Sequence, residues 1–263
     1  MENSSIRYLK THGGLLLRVT RNELVARHAG SLLGIGWLFL APLLVLSVYA
    51  LIYLVIFRVQ VPGLSPLQYV LYVFAGLVPF LATAEALSVG ASSIAGNRAL
   101  MNNPAFPIDL APVKVALASQ TTMLVGFALI VVTSVTIGSL QITVLLVPVV
   151  WALQILFTVG VNWFLSLLTV VFRDMQQLVS SILMLMLVAS PIAYTPSMVP
   201  PQLQALIVLN PFAYFVTAYQ KTLVLGLLPT PVELSVMAAL ALISFFAGGR
   251  FFSAGKRVLL DYV

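Results

Sequence analysis

The chain has 263 residues, 61% of them apolar and 8% charged, with a formal net charge of +6. So little polar surface could not cover a soluble domain of this length, and the composition points to a membrane protein instead. The absence of cysteine and the presence of only two histidines exclude disulfides, thiolate metal sites and a cysteine nucleophile, and leave little for an imidazole-rich metal site.

Residues 1–30 form a cytoplasmic segment that does not span. At 100° per residue Ile6, Leu9, Leu16, Leu17 and Leu24 share one arc of a helix and Arg7, Lys10, Arg18 and Arg21 the neighbouring arc, the pattern of an amphipathic interface helix. A positively charged orientation anchor is the plainer reading. Gly13-Gly14 should bend or break the helix. The first apolar run starts after residue 30 and is longer than a signal-peptide core, so no cleavable signal is expected.

Residues 31–263 read as one transmembrane domain with six apolar runs, at about 32–57, 69–94, 113–137, 145–172, 178–193 and 232–247. Most reach the ~20 helical residues that cross a ~30 Å hydrocarbon core, and the fifth is short. The second run changes halfway, from bulky aromatic residues to Ala, Ser, Thr and Gly around Glu85. A carboxylate at membrane depth marks a cavity, a channel or a buried contact between helices. Residues 97–112 form a loop with Pro104, Pro107 and Pro112, which is either a stiff docking element or a tight turn. Between the fifth and sixth runs, residues 194–231 carry prolines and two short apolar pieces, about 202–209 and 212–225. These suit outer re-entrant helices.

Charge placement orients the chain. Of thirteen Lys and Arg, only Arg58 and Lys221 fall outside if both termini are cytoplasmic; the inverse topology reverses that split. The net positive charge therefore reads as topology and attraction to anionic lipid, with no nucleic-acid partner. The seven acids are scattered and no phosphate loop is present, so the chain is expected not to be an enzyme and not to hydrolyse ATP. No chain of intramembrane acids supports a self-contained secondary carrier, and no catalytic acid with a metal site supports a membrane glycosyltransferase.

Four blocks carry a family resemblance: Arg21-Asn22-Glu23-Leu24 through Gly30-Ser31-Leu32-Leu33-Gly34-Ile35-Gly36-Trp37 to Pro42; Asn97 with Phe106-Pro107; Phe172-Arg173-Asp174; and Ser190-Pro191-Ile192 followed by Val199-Pro200 and Leu209-Asn210-Pro211. In order and spacing they resemble the membrane subunit of type-2 ABC exporters, in the branch that exports O-antigen, teichoic acid and capsule. Ala41, His28 and Gln220 depart from the residues frequent there, which bears on cargo subtype.

The resemblance implies a multi-pass permease of the bacterial inner membrane. It would act as a homodimer with two copies of a separate ABC ATPase, and export a lipid-linked glycan through a channel between the two permease copies. O-antigen is the first expectation, with capsular polysaccharide, teichoic acid, lipo-oligosaccharide or a drug as alternatives. The chain itself would need no cofactor, since ATP and Mg would sit on the partner. Residues 97–112 would be the coupling loop, so Asn97, Arg98, Asn102, Phe106, Pro107 and Asp109, with Arg173 and Asp174 in the second cytoplasmic turn, are the expected ATPase contacts. Sugar faces stack on aromatic rings, which makes Tyr49, Tyr53, Phe57, Tyr69, Tyr72 and Phe80, with Glu85, the candidate channel lining; an interfacial aromatic belt is the alternative for the rings.

Overall fold

The computed structural model describes residues 12–56, 63–96 and 107–261, and is helical with no strand among them. Nine α-helices follow in order among the described residues: α1 Gly13–His28, α2 Trp37–Ala50, α3 Pro66–Ala91, α4 Leu110–Thr136, α5 Val147–Val171, α6 Met175–Ala189, α7 Gln204–Leu209, α8 Pro211–Gln220 and α9 Pro231–Asp261. A π turn, Leu51–Ile56, extends α2, another, Lys221–Leu225, extends α8, and a 3-10 turn, Ile142–Leu146, leads into α5. Four helical stretches are long and apolar enough to cross a membrane: Pro66–Ala91, Leu110–Thr136, Ile142–Val171 and Pro231–Lys256. Two more, Trp37–Ala50 and Met175–Ala189, are apolar but shorter.

Local chemistry sets several boundaries. Ser65 accepts a hydrogen bond from the Gln68 N–H and the Gln68 side chain accepts one from the Ser65 N–H, with Pro66 at the first helical position. This capping box starts α3 three residues before the expected 69. Thr230 and Glu233 form the same reciprocal pair at the start of α9. The first span starts at Trp37, later than 32, because Gly30 and Gly34 adopt positive φ and residues 34–36 form a 3-10 turn. Pro191 stops α6 at Ala189, and α9 runs on past the expected 247 to Asp261. Two short helices, α7 and α8, stand where two short apolar pieces are expected, joined at Asn210, whose side chain accepts from the Phe212 N–H at 2.9 Å.

Helix α3 is the centre: 83% of its most apolar stretch is buried, against 22% for α9. Helices α4, α5, α8 and α6 surround it. Small residues let them come close. A methyl at Gly76 would press on Gln220 and Val216 of α8, and one at Gly126 of α4 would press on Val78 of α3. The most extensive pairing is α5 with α9, where a methyl at Gly160 would overlap the Ser244 backbone and one at Gly248 would overlap the Gly160 carbonyl. Two helices are held lightly. Pro42 is the buried residue of α2, and Val179 and Leu183 are those of α6.

Helix α1 packs on the start of α4 through Leu16, Thr20, Glu23 and Leu24, with Glu23 Oε2 2.9 Å from Lys114 Nζ. Leu17, expected on the same apolar face as Leu16, points away and is 71% exposed. Adjacent helical positions lie 100° apart, so one contact stripe does not hold both.

Replacing Gly160 or Gly248 by Val forces α5 from α9. The expected result is destabilisation by at least ~1–3 kcal/mol, the usual cost of overpacking, seen as a lower melting temperature of the detergent-solubilised protein; an unchanged melting curve would show that the crossing can open without loss.

Candidate functional site

A polar cluster lies in the middle of the packed helices. Pro79 interrupts the donor ladder of α3, and its own carbonyl accepts from Thr83 Oγ1 at 2.9 Å and from Gln154 Nε2 of α5 at 3.0 Å. Tyr219 of α8 donates its hydroxyl to Gln154 Oε1 at 2.6 Å. All three side chains are buried. One glutamine thus joins α3, α5 and α8, and Gln120 of α4 accepts from Trp151 Nε1 of α5 at 2.8 Å. Rings pack around the cluster: Phe127 lies 4.9 Å from Tyr219, and Phe212 lies 5.3 Å from Phe80. The cavity between Pro79, Thr83, Gln154 and Phe212 measures about 10 Å³, room for at most about one water. A cavity of that size does not hold a sugar ring.

A second polar contact fastens the segment before α7. Gln220 Nε2 donates to the carbonyls of Pro191 and Ile192 at 3.1 and 2.9 Å, and the Tyr69 hydroxyl donates to the Ala193 carbonyl at 2.7 Å. The non-helical carbonyls of residues 191–193 are therefore satisfied by side chains of α8 and α3.

Ion pairs sit at opposite ends of α9. At one end Lys221 Nζ lies 2.6 and 2.7 Å from the two oxygens of Glu233. At the other, Lys256 Nζ lies 2.7 Å from both oxygens of Asp109, and Trp163 of α5 donates its indole N–H to the Asp109 carbonyl at 3.0 Å. Around Asp109, Ile94, Ala111, Val113, Ala116, Trp163 and Phe252 form a hydrophobic cluster separate from the main core. Two clefts open on the same half of the molecule. One, of about 270 Å³, is lined by Leu24, Trp37, Pro42, Glu85, Ala118 and Thr122. The other, of about 330 Å³, is lined by Ser92, Gly96, Thr169, Arg173 and Gln176.

The residues expected from sequence divide by location. Tyr69 and Tyr72 stack with ring centres 6.4 Å apart and are 2% exposed, and Phe80 is equally enclosed. They face other helices of their own chain. Tyr49 is half-buried on α2, and Glu85 is half-buried in its cleft between α1, α2, α3 and α4. Phe57 and the Tyr53 side chain lie outside the described residues, as do Asn97, Arg98, Asn102 and Phe106. Pro107 and Asp109 form the turn into α4, while Arg173 and Asp174 are exposed in the turn between α5 and α6. Gln154, Tyr219 and Lys256 belong to none of the site residues expected from sequence. Gln154 had a signal, an amide inside an apolar run, which in hydrocarbon requires a partner.

Residues 15–224 match the ABC-2 type transporter family. The chain belongs to that family and is an integral membrane protein, the permease component of a transporter that pairs with an ABC ATPase subunit. An O-antigen export system permease protein RfbA of Myxococcus xanthus is 30% identical over 98% of each chain. A protein of the same name from Klebsiella pneumoniae is 28% identical over 81% of this chain and 82% of its own. The similarity supports a permease of the O-antigen export branch.

Tyr219→Phe removes one hydrogen bond and is expected to cost ~0.6 kcal/mol, the average for such bonds within membranes. Gln154→Leu also deprives Tyr219 and the Pro79 carbonyl of a partner and should cost ~1–3 kcal/mol, the penalty of leaving buried polar groups unpaired. Melting of the two variants in the same detergent checks the order; equal effects would mean that Gln154 does not organise the cluster.

Proposed function

We propose that this chain is the permease half of an ATP-driven exporter that carries a lipid-linked polysaccharide, O-antigen first, out of the cytoplasm across the bacterial inner membrane. The observation that carries the reading is similarity along 98% of the chain to a protein named for O-antigen export. The packing supports it: among the described residues the centre of the bundle is filled by side chains, with a cavity of about 10 Å³ beside Pro79 and Gln154, which favours a path for a polymer between two copies. Helices α2 and α6 bury few side chains and present exposed Leu44, Val48, Met184 and Val188, an apolar face fit for lipid or for that copy. On the half of α6 near Arg173 the exposed residues are mixed, with Gln176, Gln177 and Ser181 beside Leu178 and Ile182, which offers polar groups to a hydrated glycan.

In this reading α2 and α6, with α3, α4, α5 and α9, make the six spans, α1 lies on the inner leaflet, and both termini are cytoplasmic. Glu85 and Tyr49, with Tyr53 and Phe57, stand nearest the conduit, and the enclosed Tyr69, Tyr72 and Phe80 stiffen its wall from behind. Two ATPase copies bind ATP and Mg and engage the loop at 97–109 and the turn at Arg173-Asp174. Phe106 anchors in the partner, where truncating a central aromatic typically costs ~2 kcal/mol or more.

Two experiments test this. In a bacterium lacking its own O-antigen permease, the chain with its ATPase should restore polymer at the cell surface, and the chain without the ATPase should not; restoration without any ATPase would overturn an ATP-driven permease, and surface appearance of a different glycan would reassign the cargo. Phe106→Ala should insert and dimerise yet export poorly, and cysteines at Arg98 or Asn102 should crosslink to the ATPase. Labelling of those cysteines by impermeant reagent from the periplasm would invert the topology.

A further inference from the structure

We infer that Lys256 is a coupling residue: through its paired hydrogen bonds to Asp109 it passes displacement of the 97–109 loop into α9 and α5, so that more than the two helices flanking the loop respond. The inference rests on the transport reading above. Asp109 stands in the turn that leads into α4, a turn fixed by the Leu110 N–H to the Pro107 carbonyl at 3.0 Å and the Ala111 N–H to the Ile108 carbonyl at 3.1 Å. It is 2% exposed, and both carboxylate oxygens are held by the one ammonium at 2.7 Å. Its carbonyl is held by Trp163, which is fully buried and whose ring lies 5.2 Å from that of Phe245 on α9.

These contacts make Asp109 a junction of three helices. A push on the loop arrives at α4 along the chain, at α9 through the ion pair and at α5 through the indole. Helix α9 also cannot shift along α5 without moving it, because Gly160 and Gly248 bring their backbones into direct contact. One turn further along α4, Lys114 ties α1 by its bond to Glu23. The Asp109 end of α1, α4, α5 and α9 is therefore one clamped block. A rigid block transmits a displacement, whereas a free α9 end would let α4 tilt alone.

A salt bridge of purely local value would change stability and leave the work done per ATP untouched. The ratio of polymer exported to ATP hydrolysed separates the two. In the complete complex with its ATPase, Lys256→Met should retain hydrolysis while that ratio falls about tenfold, inside the 5–150-fold range of coupling between sites. Exchange of the charges in Asp109→Lys with Lys256→Asp should restore it. Because the chain has no native cysteine, Asp109→Cys with Lys256→Cys provides a second form of the test in already folded protein: the ratio should be low with free thiols and recover when a short bifunctional thiol reagent bridges them. A wild-type ratio in Lys256→Met and in the unbridged double cysteine protein would overturn the inference, as would failure of both the charge exchange and the bridge to restore a lowered ratio. An unmodified complex that exports no polymer would sink the transport reading itself, before any variant is compared.

Discussion

A helix with most of its length enclosed by protein and a proline at its middle is the constraint from which the packing of this molecule follows. Pro79 has no N–H to donate, and in hydrocarbon no water replaces a missing backbone partner. The Ala75 carbonyl thereby loses its helical donor, and the Pro79 carbonyl next to the break gathers side chains: Thr83 from the next turn, Gln154 from α5 and, behind it, Tyr219 from α8. Apolar burial provides little drive between helices when the solvent is itself apolar, so close packing and such hydrogen bonds must hold the assembly. That explains why glycines, an amide and a phenol occur at the crossings around α3, while the faces turned outward are Leu, Val and Ile.

What could be read from sequence follows the same physics. Helix existence was legible, because long apolar runs bounded by charges and prolines admit no other spanning structure. Two starts were written locally as capping boxes, Ser65 to Gln68 and Thr230 to Glu233. Which way a side chain faces was not legible on α3. A helix buried all round carries apolar residues at every angle, so its sequence loses the stripe that marks an inner face. Tyr69, Tyr72 and Phe80 therefore looked as available to a channel as Tyr49, yet they lie inside their own chain. One carboxylate among small residues marks a cavity, a channel or a buried contact between helices without choosing among them, and Glu85 lines a cleft. The pairing of Asp109 with Lys256 spans 147 positions, and charge alone could not select this partner for either residue.

The two ion pairs of α9 define a length as well as a fastening. Glu233 and Lys256 are 23 positions apart on one continuous helix, which at 1.5 Å per residue is about 34 Å. That is close to the ~30 Å thickness of a hydrocarbon core. The two pairs are thus separated by about the distance that a spanning helix must cover, so neither charge need be carried through the interior. The acid stands at the start of the helix and the lysine toward its end, the order that the helix dipole favours.

Fastening at both ends matters because α9 is peripheral, with only 22% of its apolar stretch covered. Such a helix would slide or tilt if packing alone held it. Lys221 fixes its start to the π turn after α8, Asp109 fixes its far end to α4, and the Gly160–Gly248 contact fixes its middle to α5. The resulting body comprises α3, α4, α5, α8 and α9. Against it α6 contributes two buried side chains and a Ser88–Ser180 hydrogen bond at 3.1 Å, and α2 one buried proline. Motion takes the course of least loss, and few buried contacts make local rearrangement cheap. Helices α2 and α6 are thus the elements that can move against the body without breaking its polar core.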